Sequence, residues 1–212
     1  MAITLDGTTG ISSVDGSAAS PSVRGSDSNS GIVYAADAIK FSTGGTERFT
    51  ITNTGFTGIT QGITEFDMWR VTSNFSGAGI DITSNWERAD TDFEKIGTGL
   101  TESSGIFTFP STGKWLVGAL LYSWNSGDVD YVGIKIQLSG DSGGSYTTRV
   151  EQLTNTPDST IAACVYAECG FDITSTSVNL MKFRTVAGSS ISYNGATDQQ
   201  KTGFTAIKLG DT

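Results

Sequence analysis

The sequence predicts an all-β protein whose main domain is an antiparallel sandwich. Its 212 residues include 27 glycines but only 3 prolines, together with abundant serine and threonine, which indicates many short strands joined by tight turns. No window places apolar residues at the spacing of three and four that an amphipathic helix requires. From about residue 63 onward, seven or more apolar segments follow one another at regular intervals, as expected for a sandwich.

The most apolar stretch is 105–124, which we interpret as a short strand and a long strand joined by a corner. Pro110 and Gly113 mark the connection, because proline presets a turn and glycine tolerates positive φ. Side chains alternate between the two faces of a strand, and here both faces are apolar. The odd positions are Trp115, Val117, Ala119 and Leu121, and the even ones include Leu116, Leu120, Tyr122 and Trp124. The second strand is therefore either covered by long loops or packed against another subunit.

Other strands are predicted on both sides of this pair, at residues 66–75, 131–138, 146–153, 161–173, 178–186 and 203–209. The segment 77–99 is predicted to be a long polar connection. It carries Trp86, which could contact a sugar from an exposed position or pack over the end of a sheet. Asn194-Gly195 predicts a hairpin turn.

Charge and cysteine content exclude several classes of function. The chain has 13 basic and 22 acidic residues, and a net charge of −9 disfavours binding to nucleic acid or to an anionic membrane. No apolar run reaches 18 residues, so no membrane insertion is expected, and the first ten residues do not resemble a secretory signal. Cys164 and Cys169 fall on opposite faces of one predicted strand and are expected to be free thiols, as in a protein made in a reducing cytoplasm.

Residues 1–62 differ from the rest and are interpreted as an arm or stem, with the sandwich domain at 63–212. The arm has no tryptophan, and its apolar pieces are too short to form a core. We expect such pieces to be ordered by assembly with other chains or by a partner; the alternative is a flexible linker. The candidate anchoring residues are Ile3, Leu5, Ile11, Ile32, Tyr34 and Phe41.

A resemblance covers residues 18–55 of this arm. Pro21-Ser22 precedes an Asp/Ser-rich turn and is followed by Ser30-Gly31-Ile32, Ala35-Ala36-Asp37 and the run from Phe41 to Arg48, FSTGGTER. This string resembles a module of tail-fibre and other virion appendage proteins of aquatic bacteriophages. The resemblance carries no chemistry, but it implies an intertwined stem or anchor on a virus particle.

The second part of the chain resembles the trimeric jelly roll of the complement globular head and the tumour necrosis factor (TNF) ligands. The matching features are Phe107 to Pro110 followed by Gly113-Lys114-Trp115, the aromatic strand after them, and the terminal Gly203-Phe204 strand. The resemblance implies a TNF-like antiparallel jelly-roll sandwich that forms a homotrimer, with one sheet of each subunit against the threefold axis. A monomeric sandwich is the alternative. The candidate trimer-interface residues are Leu116, Leu120, Tyr122, Trp124, Tyr166 and Phe204.

We predict that the protein is not an enzyme, that it has no catalytic residues and that it needs no cofactor. The string Gly140 to Gly144, GDSGG, matches the surroundings of a serine-protease nucleophile, but the chain has no histidine to act as the base. The absence of histidine also excludes the usual zinc sites. Structural calcium is a weaker possibility at two pairs of carboxylates, which are Asp90 with Asp92 and Asp128 with Asp130.

The two resemblances, together with the lack of catalytic motifs, imply a structural protein of a bacteriophage virion, which we expect to be made in the host cytoplasm and placed on the virion surface. The favoured role is a homotrimeric capsid decoration, or cement, protein that is attached through residues 1–62. Its expected partners are itself and the major capsid protein or another virion protein, with a host glycan or receptor as a further possibility. One alternative is a tail-fibre or receptor-binding tip, and another is a non-viral soluble receptor-binding module.

Overall fold

The computed structural model describes residues 5–6, 10–11, 16–58, 62–90, 93–124, 129–156 and 162–212, which form two compact units. Met1–Gly62 is the first unit and Ile63–Thr212 is the second. Across the described residues every regular element is a β-strand, and every pair of strands is antiparallel. The predicted all-β class is therefore confirmed.

The first unit contains two sheets, of two and five strands. Strand β1 pairs with β2, and β3 to β7 form a meander in which each strand pairs with the next. The hairpin between β5 and β6 turns at Gly44 and Gly45, where φ is +58° and +75°, values that glycine adopts without steric cost. The strands are β1 (Leu5–Asp6), β2 (Gly10–Ile11), β3 (Val23–Arg24), β4 (Gly31–Ala35), β5 (Ala38–Thr43), β6 (Thr46–Thr52) and β7 (Gly55–Thr57).

The second unit is a sandwich of two antiparallel sheets. Its strands are β8 (Phe66–Val71), β9 (Phe75–Gly77), β10 (Trp86–Arg88), β11 (Lys95–Ile96), β12 (Thr101–Ser103), β13 (Ile106–Thr108), β14 (Gly113–Trp124), β15 (Asp130–Leu138), β16 (Thr147–Thr156), β17 (Ala162–Ile173), β18 (Leu180–Ala187), β19 (Ile191–Tyr193) and β20 (Gly203–Gly210). The first sheet has the order β10-β8-β20-β14-β19-β9, and in addition β11 pairs with β8 and β17 with β14. The second sheet has the order β12-β13-β18-β15-β16.

The core lies between the two sheets and is rich in aromatic rings. The ring of Phe107 lies 4.6 Å from Phe204 and 5.7 Å from Phe183, and Phe183 stacks on Phe204 at 4.6 Å between centroids. These three side chains are fully buried, and burying each one stabilises the fold by roughly 1.5–3 kcal/mol. One face of the first sheet therefore packs in the core of a single chain.

Two local predictions need comment. Trp86 lies in β10, where its ring packs 5.1 Å from Phe107 and its Nε1 donates a hydrogen bond to the Ile82 carbonyl at 2.9 Å, so the packing interpretation is confirmed. The hairpin predicted at Asn194-Gly195 is wrong. Strands β19 and β20 flank these residues but do not pair with each other, and Gly195 instead donates its N–H to Asn74 at 3.1 Å.

Candidate functional site

The two faces of β14 have different surroundings. The odd residues Trp115, Val117, Ala119 and Leu121 point into the sandwich and are buried. The even residues point away from it: Leu116, Leu120 and Tyr122 keep part of their surface, and Trp124 is 49% exposed. An isolated chain thus leaves an apolar strip on the outer face of its first sheet.

Neighbouring strands extend this strip in register. Leu120 lies opposite Tyr166 of β17, which is 56% exposed. On the other side, Leu116 lies opposite Ile207 of β20, which in turn lies opposite Phe66 of β8. We call this surface the outer apolar face, and its members are Phe66, Met68, Leu116, Leu120, Tyr122, Trp124, Tyr166 and Ile207.

Sequence reasoning missed three of these residues, namely Phe66, Met68 and Ile207. The alternation Thr205, Ile207, Leu209 was the only available signal for β20. It is ambiguous because Phe204 and Ala206, which point to the opposite face, are also apolar. Only the pairing of β20 with β14 resolves which set points outward.

Gly118 lets the ring of Tyr166 lie close to the sheet. A Cβ atom at Gly118 would stand 2.1 Å from the Tyr166 hydroxyl, so any larger residue would displace the ring. That hydroxyl donates a hydrogen bond to Glu168 Oε2 at 2.8 Å. The bond to Glu168, together with partial burial, raises the pKa of Tyr166 above its ordinary value. Tyr166 therefore presents a neutral, oriented ring at the centre of the outer apolar face.

Glu168 lies on this face opposite Gly118, where it accepts the hydrogen bond of Tyr166, and the other charged groups lie at its borders. Lys114 forms an ion pair with Asp172 across β14 and β17, and Arg70 pairs with Glu87 at 3.2 Å and with Asp90 at 2.7 Å. An apolar centre with a polar rim is typical of protein–protein interfaces. The arrangement fits self-association.

The interface prediction for Phe204 needs correction. Its side chain is fully buried between the sheets, against Phe107 and Phe183, so it has no surface left for a partner. The alternation of side chains along β20 explains the error. Phe204 and Ala206 face the core, whereas Thr205 and Ile207 face outward. The structure brings the other five predicted residues, Leu116, Leu120, Tyr122, Trp124 and Tyr166, together on the outer apolar face.

The predicted anchoring residues fall in two places. Ile32, Tyr34 and Phe41 lie on one face of the five-stranded sheet. Leu5 and Ile11 are paired through the backbone of β1 and β2. Ile3 lies outside the described residues. Binding of these residues to a particle stays a prediction.

The GDSGG string forms a turn between β15 and β16. The Asp141 carboxylate accepts hydrogen bonds from Ser139 Oγ at 2.8 Å and from both the N–H and the hydroxyl of Ser145, at 2.8 and 2.7 Å. These bonds, led by the two from Ser145, lower the pKa of Asp141 to about 2. The carboxylate holds the turn together, which is a structural role.

The calcium candidates remain untested. Asp92 and Asp128 lie outside the described residues. Asp90 Oδ1 accepts a hydrogen bond from Arg70 Nη2 at 2.7 Å. In the part of the chain that the structure describes, no three His, Cys, Asp or Glu residues come together as a metal site would require.

Cys164 and Cys169 both lie on β17 and both are free. Burial raises the pKa of the Cys169 thiol above its ordinary value.

The described ranges contain no helix of the length and apolarity that a membrane crossing needs.

Comparisons with known proteins give the fold and no closer relationship. No protein-family model matches the sequence, and no curated protein matches it. Among solved structures, the chain is similar to the Eiger TNF of S. frugiperda, with a TM-score of 0.55 and 13% identity over 72% of this chain and 96% of that one. It is also similar to murine APRIL crystallised at pH 5.0 and at pH 8.0. For these two structures the TM-scores are 0.53 and 0.51 and the identities 14% and 13%, over 68% of this chain and 99% and 98% of theirs. The fold of the chain is thus an all-β, TNF-like jelly roll.

Proposed function

We propose that this protein is a homotrimeric structural component of a bacteriophage virion, attached to the particle through residues 1–62. We propose a trimer because the first sheet of the second unit has an outer apolar face. Five of its side chains were predicted from sequence to lie between subunits, and Trp124 and Tyr166 remain about half exposed in a single chain. The resemblance to TNF-like jelly rolls implies the same arrangement, with this sheet against a threefold axis.

The physical reason for association is the burial of apolar surface. Monomeric proteins rarely expose contiguous apolar patches larger than a few hundred Å². A symmetric assembly would cover the face in every copy at once. Because the borders carry Lys114, Asp172, Arg70 and Glu87 in pairs within the chain, three copies can approach without leaving these charges unpartnered.

The placement on a virion is supported by the sequence of the first unit, whose residues 18–55 resemble a phage appendage module. We favour a decoration role, in which three arms bind a symmetric capsid surface together. Weak contacts of each arm would then combine through effective concentration. The proposed partners are the major capsid protein or another virion protein.

The test is the copy number of the chain on purified particles of the virus that encodes it, measured by quantitative mass spectrometry against the major capsid protein. Hundreds of copies, near one per capsid protein, are expected for a decoration trimer. A few dozen copies or fewer would replace this role with a tail-fibre or receptor-binding tip. Absence from particles would overturn the virion assignment and favour a soluble receptor-binding module.

A further inference from the structure

The five-stranded sheet of the first unit has one face made largely of apolar side chains. Residues that lie directly opposite one another on neighbouring strands share a face, and the register places Ile32 beside Phe41 and Phe41 beside Phe49. The rings of Phe41, Phe49 and Phe56 stack in a row across β5, β6 and β7, at 5.1 and 5.7 Å between centroids. We call this the arm face, and its members are Val23, Ile32, Tyr34, Ile39, Phe41, Phe49, Ile51 and Phe56.

The opposite face of the same sheet is polar, and much of it is covered. Val33 and Thr50 lie there and are buried, and Thr50 Oγ1 donates a hydrogen bond to Glu47 at 2.6 Å. Pro21 is also buried, and a Cβ atom at Gly31 would stand 3.0 Å from it, so the preceding segment of the chain packs on this side. The chain therefore covers the more polar side of the sheet with its own residues.

The arm face is left open in an isolated chain. Phe56 is 57% exposed, and Val23, Tyr34 and Ile39 are all about 40% exposed. An exposed face of this kind has on the order of a few hundred Å² of apolar surface, which is the size of the largest patch on a typical monomer. A sheet with one apolar face requires a second layer. Yet a stable interface buries about 800 Å² on each partner. The arm face is therefore too small to hold two independent chains together. It is large enough to stabilise the packing of arms in chains that are already joined.

We propose that the arm face packs against the arm faces of the other copies of this chain, inside the trimer. This inference rests on the proposed function, because trimerisation of the second unit would raise the effective concentration of the three arms to roughly the millimolar range. At one end of this face, Arg48 donates a hydrogen bond to Thr43 Oγ1 of the same chain at 2.8 Å. At these concentrations the nearest apolar surface is the same face of another copy. The first unit would then be a trimeric stem whose polar sides face outward, and Ile32, Tyr34 and Phe41 would contact other copies of the chain rather than the particle.

The test compares two adjacent cysteines on opposite faces of β5. Ile39→Cys lies on the arm face and Lys40→Cys on the polar face, and in a single chain the two positions are similarly exposed, at 38% for Ile39 and 37% for the Lys40 side chain. Both changes are made in the full chain with Cys164→Ser and Cys169→Ser, so that each variant has one thiol. The measurements are the rate of maleimide labelling, the yield of interchain disulfide under mild oxidation, and the mass in solution.

We expect a trimer in which Ile39→Cys is labelled at least ~10-fold more slowly than Lys40→Cys and alone forms interchain disulfides. A trimer with equal labelling rates would overturn this inference and leave the proposed trimer intact. Slow labelling of Ile39→Cys without any interchain disulfide would mean that residues of the same chain cover the arm face. This result would also overturn the inference. A monomer would overturn both the inference and the proposed function.

Discussion

At the scale of single residues, the second unit depends on a buried carboxylate. Asp67 has no exposed surface, and its carboxylate accepts hydrogen bonds from Arg88 Nε at 2.8 Å, from Trp69 Nε1 at 2.9 Å and from the Leu100 N–H at 2.7 Å. Arg88 also lies over the Trp69 ring, at 4.7 Å from its centroid. A buried charge of this kind is tolerated only when every donor and acceptor around it is paired.

We expect Asp67→Asn to lower the free energy of unfolding by about 3 kcal/mol, because it removes the charge that Arg88 pairs with and turns an N–H₂ group toward existing donors. The matched control is Asp172→Asn, which breaks the exposed pair with Lys114 and should cost less than ~1 kcal/mol. Urea unfolding at one fixed protein concentration measures both. Equal losses in the two variants would contradict this account of Asp67.

The turn at residues 140–145 gives a prediction about pH. The pKa of Asp141 is about 2 in the folded protein, because Ser145 and Ser139 donate to its carboxylate, whereas an unperturbed Asp titrates near ~3.9. A depressed pKa stabilises the folded turn above the unfolded value, and this contribution is lost as pH falls from ~4 toward 2. NMR titration of the carboxyl carbon should show the low value, and Ser145→Ala should raise it. A pKa near ~3.9 in the unmodified protein would be inconsistent with the turn described above.

At the scale of single elements, the sequence was informative where a strand has a strong pattern and uninformative where both faces are apolar. The long strand at β14 was predicted from its apolar run and the turn residues before it, but because both of its faces are apolar, alternation alone did not show which face lies in the core. The parity of β20 could not be predicted either, because Phe204 and Ile207 are both apolar and three residues apart. Strands β10 and β11 were missed because their two or three residues lie in a polar segment and are defined by pairing with β8.

Phe204 and Tyr166 should therefore behave differently when truncated. Phe204→Ala removes a fully buried ring from the core and should cost about 3–5 kcal/mol of unfolding free energy. Tyr166→Ala removes an exposed ring of the outer apolar face, so it should leave the β-sheet signal intact and weaken the trimer. Circular dichroism in urea and sedimentation as a function of concentration separate the two effects. A small loss of unfolding free energy in Phe204→Ala would contradict its place in the core and make Phe204 an interface candidate again.

At the scale of the whole molecule, the two units share one feature, which is a sheet with an uncovered apolar face. The outer apolar face belongs to the second unit and the arm face to the first. The sequence predicted that the arm could not bury its own apolar pieces, but it did not show that they line up on one side of a five-stranded sheet. That alignment depends on the register between strands, which is set by the turns at Asp37 and Gly44-Gly45.

The proposed association of three copies through the outer apolar face can be tested by the mass of the protein in solution. Light scattering of the full chain should give three times the chain mass of 22.2 kDa. Leu120→Glu, at the centre of the face, should reduce the mass to one chain while keeping the β-sheet signal. Val186→Glu, which adds the same charge to the outer surface of the second sheet, should leave the trimer intact. A single-chain mass for the unmodified protein at micromolar concentration, or a trimer that survives Leu120→Glu, would contradict the claim.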